Sequence, residues 1–265
     1  MKAMVSRIRS GESIVPSCLL DELSEYFPLV SDLADTEQDP EWHAEGNVRT
    51  HTEMVISEAI AIADSSLGND LSPDQRLVLI LGAALHDIGK ALTTREASID
   101  GKTRIISPHH PERGRSYLAP RIPRSGLPWK LCDEILALVG YHHEPAKLVV
   151  RGKSCHEFFA LARAVDFQLV HLLELADLRG RVLSGSAEDR DGFETLELFQ
   201  QSAKQFDIWP NGAKLYTDWE RQIFNTIKEK SAARYAFHKG IRDYERGKIF
   251  TPSEAIARPY EWQSN

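Results

Sequence analysis

Apolar residues recur at three- and four-residue intervals along most of this chain, the spacing of amphipathic helices. From about 47 to 66, Val48, Ile56, Ile60 and Ile62 line one helical face. Pro73 and Asp74 open a second helix that runs into His86 and ends near Gly89. Between Leu92 and Ser107 the pattern changes: Asp100-Gly101 falls between short mixed segments, a hairpin signal. Helical spacing resumes over about 111–120, 128–141, 154–169 and 170–183. Ser184 to Gly192 reads as a loop, followed by a helix over about 193–206. A long polar helix over about 215–237 and a short one from Thr251-Pro252-Ser253 complete the pattern. It predicts an all-α fold, a helical bundle with a small β-hairpin insertion and extra flanking helices. The expected division is a core over 41–183, N-terminal flanking helices over 1–40, and a C-terminal helical extension over 184–265 packed on the core.

Length and composition narrow the setting. With 265 residues, the chain can bury a full core without disulfide or metal staples. Its longest apolar run, Leu77 to Leu85, is too short to cross a bilayer. Arg7, Arg9 and Glu12 interrupt what would have to be the apolar core of a secretory signal. Cys18, Cys132 and Cys155 are odd in number and scattered, as expected of reduced thiols in a cytoplasmic protein. A formal net charge of −7 argues against non-specific grip on a duplex, but leaves room for a local basic pocket that holds one phosphate.

The candidate chemistry centres on His86 and Asp87, adjacent near a helix end, with Lys90 one turn further on and on the same face as Asp87. Taken alone, such a pair reads as a polar helix terminus. Its partners in chain order are His51 before it and His110, His142 and Asp177 after it. His51 lies in an apolar helix face, where a lone histidine is more often a satisfied core residue. Asp177 sits in the apolar stretch Leu172–Leu178, where an unpaired carboxylate is costly. A metal or a buried arginine would satisfy it, and Arg179 and Arg181 are close in sequence. The doublets His109-His110 and His142-His143 also fit solvated helix ends. His43, His156, His171 and His238 lack such context and read as structural or surface residues.

The order His, His-Asp, His, His, Asp on successive helices resembles the HD phosphohydrolase superfamily. A sharper similarity is to the HD domain of bacterial CCA-adding tRNA nucleotidyltransferases. The run Glu41-Trp42-His43-Ala44-Glu45-Gly46-Asn47-Val48-Arg49-Thr50-His51 resembles its entry motif, and Ala84-Leu85-His86-Asp87-Ile88-Gly89-Lys90 its next block. His110-Pro111-Glu112-Arg113-Gly114 is similar to a His-Glu-x-Arg-Gly block, with Pro-Glu-Arg in place of Glu-x-Arg. Tyr141-His142 and Ala176-Asp177-Leu178-Arg179-Gly180-Arg181 resemble the last two. A related branch is the HD domain of RNA-repair enzymes that carry a polynucleotide kinase. No Gly-x-x-x-x-Gly-Lys-Ser/Thr run occurs here, so a partner kinase is expected on a separate chain.

The resemblance implies a metal-dependent phosphohydrolase. His51, His86, Asp87 and Asp177 would hold one ion, and Asp87 would bridge to a second held by His110 and His142, with His143 as the alternative to His142. Asp87 and Lys90 are the catalytic candidates. Imidazole and carboxylate ligands suit one or two divalent transition-metal ions, Mn, Ni, Co, Fe or Zn, with Mg also acceptable. Lys90, Arg113, His143 and Arg181 would contact substrate. The implied substrates are nucleotides or RNA ends bearing a 2′-phosphate, 3′-phosphate or 2′,3′-cyclic phosphate. Two alternatives remain open: a general phosphohydrolase of nucleoside mono- or triphosphates, and a non-catalytic nucleotide- or RNA-binding subunit of a separate kinase or ligase. In the second, Trp219, Phe224, Tyr235 and Phe237 would form the docking surface.

Overall fold

The computed structural model describes residues 1–184 and 190–210. They are helical apart from one two-stranded hairpin and an isolated bridge, which is the predicted class. In chain order the elements begin with α1 (Lys2–Ser10), α2 (Pro16–Ser24), α3 (Leu29–Asp32), α4 (Val48–Ala63), α5 (Pro73–Leu85) and α6 (Lys90–Thr93). The hairpin β1 (Arg95–Ile99) and β2 (Lys102–Ile106) follows. Then come α7 (His110–Leu118), α8 (Trp129–Tyr141), α9 (Glu144–Val150), α10 (Cys155–Ala162), α11 (Phe167–Arg179) and α12 (Arg190–Gln205). The helices expected at 215–237 and from Thr251, and the four aromatic residues of the docking reading, lie outside the described residues. No helix among the described residues is long and apolar enough to cross a membrane.

The described residues divide into two compact units, one within 1–146 and 168–197, the other within 147–167 and 198–210. In the first, α5 is the central element. Every residue from Leu77 to Leu85 is buried, and α1, α4 and α8 pack against it. Ser72 and Gln75 form a reciprocal capping box at its start, with Pro73 in the first turn where its missing N–H costs nothing. The α4 helix is capped by Asn47, whose side chain accepts from the Thr50 amide at 2.9 Å. Its buried face, Val48, His51, Thr52, Val55, Ile56, Ala59 and Ile62, follows the helical repeat. The second unit has an aromatic core: Phe199 stacks on Phe158 and meets Phe167, with ring centroids 5.6 and 5.0 Å apart.

The hairpin is antiparallel, with Ile99 opposite Lys102. Asp100 and Gly101 form its turn, and both have positive φ (49° and 75°), the left-handed pair that a two-residue connection requires. Two departures from the periodicity are visible. The short helix α9 carries too few residues to register as a repeat, and Pro145 occupies its first turn. The stretch expected as a helix over 154–169 ends at Ala162, and α11 starts at Phe167 rather than 170. Asp166 precedes that start, and aspartate favours a helix N-terminus over an interior. Likewise α12 begins at Arg190, before the expected 193.

Candidate metal centre

Four helices and one turn of the first unit bring the polar groups together. Among the predicted residues, His51 comes from the buried face of α4 and Asp177 from α11. His86 and Asp87 stand where α5 ends, His110 opens α7, and His142 follows the last residue of α8. All six are buried. The turn after Asp87 requires glycine at position 89: a Cβ there would lie 2.0 Å from the His110 carbonyl oxygen. That close approach sets the end of α5 against the start of α7.

Three of the histidines are oriented in the same way. His86 Nδ1 donates to the Ala83 carbonyl, His110 Nδ1 to Ser107 and His142 Nδ1 to Val139, each at 2.8 Å. For His86 and His142 the acceptor is a carbonyl in the last turn of a helix, where backbone acceptors lack intrahelical partners. Because a carbonyl can only accept, each Nδ1 carries the hydrogen, and a ring with no second proton presents a lone pair at Nε2. His110 Nε2 and His142 Nε2 lie 3.3 Å apart.

Asp87 stands between these groups, and its two oxygens face different sets. Oδ2 lies 3.3 Å from His86 Nε2, 3.8 Å from His51 Nε2 and 2.7 Å from Lys90 Nζ. Oδ1 lies 3.1 Å from His110 Nε2 and 3.9 Å from His142 Nε2. On the far side, His51 Nε2 is 3.0 Å from Asp177 Oδ1, and Arg181 reaches Asp177 Oδ2 at 3.4 Å. Burial alone would raise both aspartates. His86 and Lys90 outweigh it at Asp87, and Arg181 and His51 at Asp177, so both stay carboxylates well below their ordinary range. Burial and the neighbouring rings of His143, His86 and His110 push His142 well below the usual histidine value. His51 is shifted the other way: burial opposes its charge, but its hydrogen bond to Asp177 and the nearby Glu45 carboxylate prevail.

These groups fit a divalent cation. His86 Nε2 and Asp87 Oδ1 are buried and find no hydrogen-bond partner. With their Nδ1 atoms committed, His110 and His142 as neutral rings would direct two lone pairs at each other and at a carboxylate. Buried acceptors left facing acceptors cost several kcal/mol. A cation among them removes that cost, and separations of about 3 Å are those of neighbouring ligands on an ion with bonds of about 2.0–2.2 Å. Among the described residues three groupings could hold an ion: His51 with His86 and Asp177, His110 with His142 and His143, and, behind His51, His43 with Glu45 and His51. All donors are nitrogen or oxygen, the set that borderline and hard divalent ions accept.

A cleft of about 270 Å³ opens beside the centre. Lys90, His143 and Arg181 line it together with His110 and Asp177. Lys90 does more than its spacing implied, because Nζ holds Asp87 Oδ2 and also donates to Gln38 Oε1 at 2.7 Å. His143 packs its ring against His110 and His142, and burial takes its pKa down to about 3. Arg113 is exposed on α7 and is not among the residues that line the cleft, as is Glu112. The structure adds groups that their place in the sequence does not announce. His43, read as structural or surface, lines the cleft and donates through Nδ1 to Glu45 Oε1 at 2.8 Å. The same Glu45 oxygen lies 2.9 Å from His51 Nδ1, off the axis of the ring N–H. Burial opposes the charge on Glu45, and the hydrogen bond from His43 together with the nearby His51 ring lowers its pKa nonetheless. Both belong to the block Trp42-His43-Ala44-Glu45 that carried the sequence resemblance, which was the available signal. Gln38 and Asp39, also on the cleft, gave none, since polar residues before Pro40 resemble a linker.

Residues 48–178 match the family model described as "HD domain". The chain carries an HD domain. Such domains belong to a superfamily of metal-dependent phosphohydrolases, and this one encloses His51, His86, Asp87, His110, His142 and Asp177. Gln38, Trp42, His43 and Glu45 precede it and Arg181 follows it. The HD chain is also similar to the "Multifunctional CCA protein" of Halorhodospira halophila (strain DSM 244 / SL1), with 33% identity over 236 residues. That alignment takes in 85% of this chain and 45% of the relative, so the HD chain spans about half of that protein's length.

Proposed function

We propose that this HD chain hydrolyses phosphate esters of nucleotides or RNA ends, with 2′-phosphates, 3′-phosphates and 2′,3′-cyclic phosphates as its substrates. The observation that carries the reading is the division of Asp87, one oxygen toward His86 and His51 and the other toward His110 and His142. His51, His86, Asp87 and Asp177 would hold one divalent ion, and Asp87, His110 and His142 a second. Such ions supply Lewis-acid charge for the phosphoryl oxygens and make water acidic enough to attack near neutral pH.

The remaining groups act on the substrate. Lys90 places its ammonium on the cleft wall, where it offsets charge on the non-bridging oxygens as phosphorus is attacked. Arg181 and His143 line the same wall, and Arg181 offers guanidinium N–H groups to a phosphate oxygen. Asp87 anchors Lys90 and so ties the ammonium to the centre. Recognition of a single terminus suits a cleft of this size, and it suits an acidic chain better than grip along a duplex. The ribose-phosphate preference is supported by the sequence motifs and by the similarity to a CCA protein.

The test is phosphate release from 2′-AMP, 3′-AMP, 5′-AMP, 2′,3′-cyclic AMP and dATP, with Mn, Co, Ni, Zn or Mg added singly to stripped protein. Preference for the 2′, 3′ or cyclic esters supports the reading. Preference for dATP would replace it with a general nucleotide phosphohydrolase, and no release from any ester would favour a binding subunit.

A further inference from the structure

The cleft carries two large apolar side chains among charged and imidazole neighbours, Trp42 and Ile105. Trp42 is 51% exposed, an unusual position for the largest side chain in a protein. Ile105 is half-buried on β2. The two come from segments far apart in sequence, and Asp39 fixes both. The Trp42 amide donates to the Asp39 carbonyl at 3.1 Å, and the Ile105 amide donates to Asp39 Oδ2 at 3.3 Å. Asp39 Oδ1 also accepts from Arg104 at 3.0 Å and from the Glu41 amide at 3.1 Å, and Arg104 pairs with Glu41. Asp39 itself is buried, so the hairpin and the loop that carries Trp42 are joined through one satisfied carboxylate.

The geometry points to Trp42 as the nucleobase platform of this cleft, with Ile105 as a second apolar contact, so that the substrate is a nucleoside phosphate rather than any small phosphate ester. This deepens the proposed function and rests on its reading of the polar wall as the phosphate site. A planar base offers a π-face to an indole whatever its hydrogen-bonding pattern, so the platform accepts several bases. A cleft lined by cationic side chains together with an indole and an isoleucine matches a ligand that is anionic at one end and flat and apolar at the other. A phosphate on a bare sugar would leave the indole unused.

The experiment is calorimetric binding to the full chain loaded with Mn. The probes are the 3′-phosphonomethyl analogue of adenosine, whose carbon–phosphorus bond resists hydrolysis, and the same compound without its base. Wild-type protein is expected to bind the base-bearing probe roughly tenfold more tightly. Trp42→Ala is expected to abolish that advantage and leave the Kd of the baseless probe within about twofold, while Trp42→Phe retains most of it. Equal affinity for the two probes on wild type would overturn the inference, as would no binding of the base-bearing probe. An equal loss of both probes in Trp42→Ala, or a Phe variant no better than Ala, would do the same. Base-selective binding without phosphate release from any ester would sink the hydrolase reading and leave the platform standing.

Discussion

Asp87 faces His51, His86, His110, His142 and Lys90, and the two halves it joins can be separated by substitution. His110→Ala is expected to lower the metal content of the purified protein from about two ions to one, measured by plasma mass spectrometry after dialysis, with the His51–His86–Asp177 grouping still occupied. Unchanged stoichiometry would remove His110 from the ligand set. A second residue-scale expectation concerns Glu174, buried on α11 with Oε2 unpartnered. Burial, reinforced by Asp177, raises its pKa well above the ordinary 4.5 despite Arg181. The folded state therefore keeps a proton that the unfolded chain releases, and this contribution to stability is full below about pH 4.5 and is lost as pH rises toward the folded value. Glu174→Gln fixes the neutral form. Urea unfolding of metal-free protein should show the variant gaining on wild type as pH rises above that point, and parallel profiles would refute the assignment. At this scale the ligand types were legible because each is a chemically distinctive residue in a known order. The carboxylate behind His51, and the amide on Lys90, were not, since Glu45 and Gln38 act through contacts that only the fold creates.

Elements place these residues by their ends more than by their middles. His86 and His142 close helices and His110 opens one, so the junction from α5 to α6 carries much of the geometry. Gly89→Ala would push a methyl group into the His110 carbonyl, and overpacking of that kind costs about 1–3 kcal/mol. Denaturant unfolding is expected to show that loss together with reduced metal content, and a neutral substitution would mean that the α5–α7 approach is looser than described. Periodicity disclosed α4, α5, α7 and α8 to within a few residues, because each has a sustained apolar face and, for α4 and α5, a recognisable cap. The hairpin was legible from Asp100-Gly101 alone. What escaped was α9 and the break between α10 and α11, where elements are short or the start signal is one aspartate.

For the whole molecule, the centre stores unfavourable contacts that metal relieves, so binding should appear as stability. Any ligand that binds only the folded state adds RT ln(1 + [L]/Kd), about 2.7 kcal/mol at a hundredfold excess over Kd. Chelator-stripped protein is expected to melt several degrees lower than protein refilled with Mn, followed by calorimetry, and an unchanged midpoint would argue against a built metal site. An Asp87-centred site of this kind should hydrolyse a nucleotide phosphate ester with the help of metal. The most direct measurement is phosphate release from the best ribonucleotide ester by stripped wild-type and Asp87→Ala proteins, with and without Mn. The expected result is turnover by wild type only when metal is present, and a loss of at least a hundredfold, on the order seen when a central electrostatic group is removed, in Asp87→Ala. Equal turnover by the two proteins, or turnover indifferent to chelation, would contradict it.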